Sequence, residues 1–587
     1  MARHGRSGGL TFELVPDDDA DGPGPVLALA APDPTPPSIP PSMLTTAVRR
    51  ALGWLRSRSR PQLVAGGVVL ALAVGAAGAA AVLRDREREA TLRAAPGGVA
   101  DLSQPIHERW SSTIGGEEAG AGLWPIAALG DVVVLAETRG DLDGPPSLAA
   151  RDGRESRTVL HGLDLDTGAE RWQAPLDAEA SCGTGPGDLG QSRLTIGRVT
   201  QVVCVVGAGQ DATVAVVDAD GQVTTRVPDG LDEHTTLLPG PRGTLVRVRQ
   251  LGDPPEGVEL VVDTAMGWRL NHEFQPPDVQ VSAEDALTGE ARWDTRIEAD
   301  VVDEGSNWWS CTTWDGAGEP RFDGRTVAAS TADQGMRLWM CGVDVVLTAS
   351  GRVAHQHPVG EASFAGMLMV SALTDGGLGI SVSADGGWDG RTSSTVVVGD
   401  DGGEVMRLPG GVLDPWATDG TGGVVVGGEG AQGAGVIVMR DATSLIGVGA
   451  DGAQRWAVPD RPRSEGALVR AAGVMLLAGG SGEMWAVDLG TGETRWTAPL
   501  PGVPGSGGTW GYARGAWTDG TVAVLRTPGA ADGAEPTAWT AYDLRTGAVV
   551  WRLDGADADA LVPSQSECAA VAGRLLCSDG STLVRVA

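Results

Sequence analysis

Six cysteines, Cys182, Cys204, Cys311, Cys341, Cys568 and Cys577, and seven histidines are the side chains best suited to chemistry in this chain. Spacing decides among the uses of a thiol. None of the cysteines forms Cys-x-x-Cys and no histidine clusters with them, which argues against zinc. An even number, all beyond residue 180, reads as three disulfides in an oxidising compartment, with fifteen pairings open. His355 and His357 share one face of a strand but have no third ligand nearby in sequence. Gly428-Glu429-Gly430-Ala431-Gln432-Gly433 fits GxGxxG, yet Val436-Ile437-Val438-Met439 after it reads as a strand, and phosphate binding needs a helix amino terminus there. Asp164-Leu165-Asp166-Thr167-Gly168 opens like a calcium loop, but its glycine comes one place early and Pro175 stands where the closing glutamate belongs. No glycine pattern frames a serine as a nucleophile elbow. The expectation is a protein without catalytic residues, metal or cofactor.

The elements that would position such residues repeat. Threonine or aspartate, then glycine, is followed by tryptophan at Thr167-Gly168 and Trp172, Thr288-Gly289 and Trp293, Asp451-Gly452 and Trp456, Thr491-Gly492 and Trp496, and Thr546-Gly547 and Trp551. Arginine precedes the tryptophan in four of the five. The motif glycines are 121, 163, 40 and 55 residues apart, so the first two gaps read as a double and a triple unit. Degenerate copies fill those gaps at Val216 to Gly221, Val345 to Gly351 and Val396 to Gly402. Each is a β-branched run closing on a small polar residue and a glycine, the signal of a strand entering a tight turn. The tryptophan falls on the next strand, as an anchor between neighbouring sheets rather than a ligand platform.

The pattern resembles the pyrrolo-quinoline-quinone-type (PQQ-like) propeller repeat over residues 102–587, specifically in five copies and weakly in three. The resemblance implies an all-β fold of four-stranded blades around a channel. Glu108 to Ile114 reads as an outer strand lacking its inner partners, while Arg574 to Cys577 and Ser581 to Val586 lack an outer strand. Pairing them completes one blade from both ends. Nine candidate blades result; the family usually closes with seven or eight, and eight are expected here, one weak repeat being an insertion. In a propeller, cysteine neighbours in sequence fall in one blade, which favours 182–204, 311–341 and 568–577. For the last pair, a two-residue turn at Ala572-Gly573 sets 568 opposite 577 on a non-hydrogen-bonded position. Active quinone-dependent members of the family carry adjacent cysteines, a calcium site of carboxylate and amide ligands, and a catalytic aspartate. Here no cysteines are adjacent, and Asn271 and Asn307 are the only asparagines.

Residues 63–83 carry no charged or strongly polar side chain and, at 1.5 Å per residue, span about 30 Å as a helix, enough for a bilayer. The 62 residues before them are too many for the usual signal peptide, so an uncleaved anchor is expected. Arg49, Arg50, Arg56, Arg58 and Arg60 precede the span, and Arg84, Arg86, Arg88 and Arg93 follow it among acids, which places the amino terminus in the cytoplasm and the propeller outside. Residues 1–48 hold Asp17-Asp18-Asp19 and a proline-rich run, and read as a disordered cytoplasmic tail. Residues 49–62 read as a basic juxtamembrane segment and 84–101 as a linker. Gly67, Ala71, Gly75 and Ala79 offer a face for dimerisation of the span.

All 44 basic residues are arginine, against 76 acids. Beyond residue 96 there are 67 acids to 33 arginines, a balance that repels nucleic acid. The resemblance extends to a non-catalytic outer-membrane assembly lipoprotein and to sensor domains of receptor kinases. An interaction platform for a partner protein of the bacterial envelope is therefore expected, with a ligand-binding or sensor domain as the alternative and a quinone-dependent dehydrogenase behind both. A reporter enzyme active only outside the cytoplasm should work when fused after Ala587 and fail when fused before Met1; the reverse result overturns the orientation.

Overall fold

The structure, a computed structural model, describes residue 83 and residues 85–587 other than 115–123, 140–156, 184–197, 264–266, 304–307, 315–318, 359–367, 373–376, 384–391, 409, 422–435, 441–442, 450, 461–463, 480–481, 501–512, 528–536 and 564–565. Successive meanders of four antiparallel strands occupy residues 124–175, 180–226, 235–297, 327–356, 368–408, 411–459, 464–499 and 515–554, here blades 1 to 8. Blade 9 is made by both ends of the chain: Glu567–Val571, Arg574–Ser578 and Thr582–Arg585 carry Trp110–Thr113 on the outside, with Trp110 opposite Arg585 and Thr113 opposite Thr582. The fold is a β-propeller, and among the described residues it has nine blades rather than eight. The three weak repeats are each the third strand of a blade of their own (2, 4 and 5), so none is an insertion. The added lengths lie elsewhere, as the hairpin Leu260–Asp263 with Gly267–Leu270 inside blade 3, and the hairpin Thr312–Trp314 with Pro320–Phe322 before blade 4.

The repeat motif shapes its five blades, 1, 3, 6, 7 and 8, in the same way. Trp172 pairs with Gly162 while Glu170 pairs with Leu163, which leaves Arg171 as the extra residue of a β-bulge. Arg292, Arg455, Arg495 and Val550 occupy the same bulged position beside Trp293, Trp456, Trp496 and Trp551. The residue across from the tryptophan is always glycine or alanine, because the indole lies over it: a Cβ on Gly162 would sit 2.1 Å from Trp172. The indole then reaches the next blade. Trp172 Nε1 donates to Ala219 O at 3.0 Å, Trp293 to Ala349 O at 3.0 Å, Trp456 to Leu489 O at 2.8 Å and Trp496 to Leu544 O at 2.9 Å. Trp110 closes the ring by donating to Leu165 O of blade 1 at 3.2 Å, and Trp551 donates to Leu102 O at 2.8 Å. Below each ring lies a turn glycine of the following blade, Gly221, Gly351, Gly492, Gly547 and Gly168 in turn. Where the tryptophan is missing, other contacts stand in: Arg226 Nε donates to Ala286 O at 2.8 Å between blades 2 and 3, and Ser350 Oγ to Asp400 O at 2.7 Å between blades 4 and 5.

The core is a ring of interblade clusters, each shared by two blades. Val246, Val281 and Ile297 of blade 3 meet Met336, Leu338 and Val345 of blade 4, for example. The turns between first and second and between third and fourth strands share one face of the ring, the turn face. The opposite face, called the loop face, carries the connections between second and third strands and between blades; the first-to-second connections 184–201 of blade 2 and 413–435 of blade 6 are long as well.

Gly547 and Gly473 separate the backbone cost of a turn from the cost of the clamp. Both have positive φ, +71° and +75°, but a Cβ on Gly547 would meet Trp496 at 2.6 Å and one on Gly473 would meet nothing within 4 Å. Gly473→Ala should lose about 1–2 kcal/mol for the left-handed conformation, and Gly547→Ala about 1–3 kcal/mol more for overpacking. Thermal melting checks this, and equal melting temperatures would contradict the clamp.

Candidate functional site

The motif turns are occupied by the protein's own donors. Asp164 Oδ1 accepts from the Asp166 and Thr167 amides (2.9 and 2.7 Å) and from the Thr167 hydroxyl (2.9 Å). The bulged Arg171 donates to its other oxygen at 3.0 Å and forks onto Asp131 in the neighbouring turn. That carboxylate has no lone pair to spare for calcium. Arg171, then Thr167 and the turn amides, hold Asp164 well below the usual carboxylate range despite its partial desolvation. Asp285 is brought down to about 2, chiefly by Arg292. At Asp488 burial works in the opposite direction, and Arg495 with the turn amides outweighs it.

The six cysteines form Cys182–Cys204, Cys311–Cys341 and Cys568–Cys577. The first and third link directly opposite residues of first and second strands, in blades 2 and 9. Cys311–Cys341 instead ties the connection before blade 4 to a turn within it. The rings of His355 and His357 are 6.1 Å apart; burial, then the neighbouring His357, lowers the pKa of His355. No group of three or more potential ligands for a metal ion occurs among the described residues. The donor set for a quinone and its calcium does not fit: Asn271 donates to Gly257 O at 2.8 Å and accepts from the Glu259 amide beside the blade 3 hairpin, and none of the three disulfides joins adjacent cysteines. Asn307 and the GxGxxG stretch lie outside the described residues, and Val436–Arg440 after that stretch is a strand.

The chain's own lead-in lies on the turn face, against blades 8 and 9 and the strand beside blade 7. The segment expected as a linker has a helix at 85–94 and then crosses the turn face. Thr418 N donates to Pro96 O, Thr518 N to Gly97 O, Val99 N to Thr518 O and Ala100 N to Gly573 O, at 2.8 to 3.0 Å. Leu102 N reaches Asp519 Oδ2 at 3.2 Å. Leu92, Val99, Leu102 and Ile106 are buried. Pro415–Thr418, an extra strand parallel to the first strand of blade 7, lies under this strap, with Ala417 against Gly97. No helix among the described residues is long and apolar enough to cross a membrane. The expected span lies outside the described residues except for Leu83.

The loop face holds a cleft of about 620 Å³ between blades 1, 2 and 3. Arg157, Asp177, Glu179, Ser181, Thr235 and Thr236 line it, a mixed-charge, hydroxyl-rich wall suited to a polar ligand. Two buried polar groups have no counterpart in the sequence reading. Arg526 of blade 8 is 2% exposed and donates to Ser566 O and to Pro563 O (2.7 Å), with its guanidinium 5.4 Å from the Trp539 ring. Burial lowers its pKa to about 10, and its role is to latch the connection from blade 8 to blade 9. His161 in blade 1 lies between Glu137 (Nε2, 2.8 Å) and Glu170 (Nδ1, 2.7 Å). The only sequence signal for either is a polar residue interrupting an apolar strand.

No protein-family model matches this chain, and no curated protein matches it. Among solved structures it is similar to BamB from Moraxella catarrhalis, at 13% identity and TM-score 0.34, covering 82% of this chain and 99% of that one. It is also similar to quinohemoprotein alcohol dehydrogenase from Comamonas testosteroni (12%, TM-score 0.33, covering 83% and 77%) and to a europium-containing methanol dehydrogenase (11%, TM-score 0.30, covering 80% and 84%). At these scores the likenesses carry no argument about function, and the fold stands on the blades themselves.

The turn aspartates set an acid limit. Their folded pKa values lie below the unfolded ones, so their stabilisation is complete above about pH 4 and is lost as pH falls through the depressed values. The melting temperature should drop between pH 4 and 2, and Arg171→Gln with Arg292→Gln should flatten that slope. An unchanged slope in the double variant would contradict the assignment.

Proposed function

We propose that this protein is a membrane-anchored, extracytoplasmic β-propeller that works as a non-catalytic interaction platform in the bacterial envelope. The observation that carries the reading is the strap. From residue 85 onward the chain is helical and then hydrogen-bonded across the turn face, directly after the apolar stretch 63–83. On this reading the turn face carries the lead-in, and the loop face, with its cleft, is offered to partners. The three disulfides support an oxidising location. A closed ring with long connections such as 251–278 and 298–326 on its loop face suits protein recognition, whatever chemistry other propellers perform. The loop-face cleft favours small-ligand binding as the second reading.

The full-length chain, carrying a photo-reactive residue at Thr236 on the loop face or at Glu493 on the turn face, is expressed in its native host. A stoichiometric protein adduct is expected from position 236 and not from 493. Adducts from neither position, or cofactor-dependent dye reduction by the folded protein supplied with quinone and calcium, would overturn the platform reading.

A further inference from the structure

Two of the three disulfides are built alike and differ in one contact. Cys182–Cys204 and Cys568–Cys577 each join directly opposite residues of the first and second strands of a blade, blades 2 and 9. In each pair one cysteine is half-buried, Cys182 or Cys568, and the other, Cys204 or Cys577, is at most 2% exposed. Among the described residues no hydrogen bond reaches a sulfur of Cys182–Cys204. Cys568 Sγ, by contrast, accepts from the Arg526 guanidinium at 3.6 Å. In the third disulfide both Cys311 and Cys341 are buried, and the Ser310 hydroxyl stands 4.0 Å from Cys311 Sγ.

Arg526 is a buried cation without a carboxylate of its own. Its guanidinium donates to Ser566 O and Pro563 O, and no acid lies within ion-pair distance of it among the described residues. Arg514 adds a second positive charge to these surroundings, and Asp559, half-buried on the helix Gly555–Leu561, opposes it. Carbonyl oxygens carry only partial charge, so the guanidinium is left incompletely neutralised between blades 8 and 9, where Cys568 and Cys577 also pack. A disulfide sulfur is a weak, neutral acceptor, whereas the same sulfur as a thiolate is a full anion. Beside a cation in a desolvated site the thiolate is strongly favoured. Stabilising a reduced product shifts the disulfide–dithiol equilibrium toward reduction, and a stabilised thiolate departs more readily. The strands stay together when the bond opens, because five residue pairs, from Glu567 with Ser578 to Val571 with Arg574, join them through the backbone.

We propose that Cys568–Cys577 is a redox-active disulfide that exchanges with a dithiol through Cys568, and that Arg526 makes it so. A thiolate of the dithiol attacks the half-buried Cys568 Sγ, the bond to Cys577 breaks, and Cys577 takes up a proton. The second thiol of the dithiol then attacks its own partner sulfur in the mixed disulfide and expels Cys568 as a thiolate beside Arg526. Two electrons pass from the dithiol, which leaves as a disulfide, and the second of its two protons is released to water.

The full-length chain in detergent micelles is equilibrated with mixtures of reduced and oxidised dithiothreitol, free thiols are alkylated, and each cysteine is quantified by mass spectrometry. Cys568–Cys577 should be half reduced at a reduced-to-oxidised ratio at least about tenfold lower than Cys182–Cys204, a gap of about 30 mV for a two-electron couple. Arg526→Met should close the gap to less than about threefold, and Arg526→Lys, which keeps the charge, should leave it wider than that. Because Arg526→Met also cuts the latch to Pro563 and Ser566, the thiolate is measured separately with Arg526 in place. In Cys577→Ser, the free Cys568 should react with iodoacetamide with a pH midpoint at least about one unit below that of Cys182 in Cys204→Ser. Half-reduction of the two disulfides at the same ratio overturns the proposal, as do equal pH midpoints for the two thiols or an undiminished gap in folded Arg526→Met.

Discussion

Five of the nine blades lean on the next through one contact, a tryptophan whose indole lies on the next blade's turn glycine and donates to a carbonyl two or three residues before it. The geometry imposes three demands at once. The turn must have positive φ and no Cβ under the ring, the residue across from the tryptophan must be glycine or alanine, and the residue before it must bulge out. The bulge in turn frees an arginine to bind the turn aspartate, as Arg171 does with Asp164. The four-position motif is therefore one mechanical unit, and its polar members serve the turn rather than a ligand.

Closing the ring needs the same contact where the chain begins and ends. Trp110 supplies it toward blade 1, and Leu102 O receives it from Trp551 in place of the turn that blade 9 lacks. The strap from 96 to 102 is thus part of the closure as well as the lead-in from the amino-terminal side. Each strap bond ties the lead-in to the turn face.

Much of this was legible in the sequence. The glycine–tryptophan spacing revealed the blades, and the turn at Ala572-Gly573 set Cys568 opposite Cys577. The weak copies at Val216, Val345 and Val396 are visible and give nine candidates, but the family's usual closure at seven or eight led to eight, and their uneven spacing, stretched by connections such as 251–278, offered nothing to overrule it. Length alone does not say whether residues enlarge a loop or replace a blade. The helix at 85–94 was hidden because its composition is charged and only Leu92 within it is buried. Arg526 and His161 were hidden because their partners, Pro563 O and Ser566 O for one, Glu137 and Glu170 for the other, are brought together only by folding.

On the proposed reading, a ring whose motif side chains are engaged in its own turns serves as a platform for other proteins. A cryo-electron microscopy reconstruction of the full-length chain in lipid nanodiscs tests this account most directly. The account predicts nine blades, the ninth closed by Trp110–Thr113 beside Thr582–Arg585, with the strap hydrogen-bonded to Thr518 and Gly573. An eight-bladed ring, or a last blade without the amino-terminal strand, would contradict it.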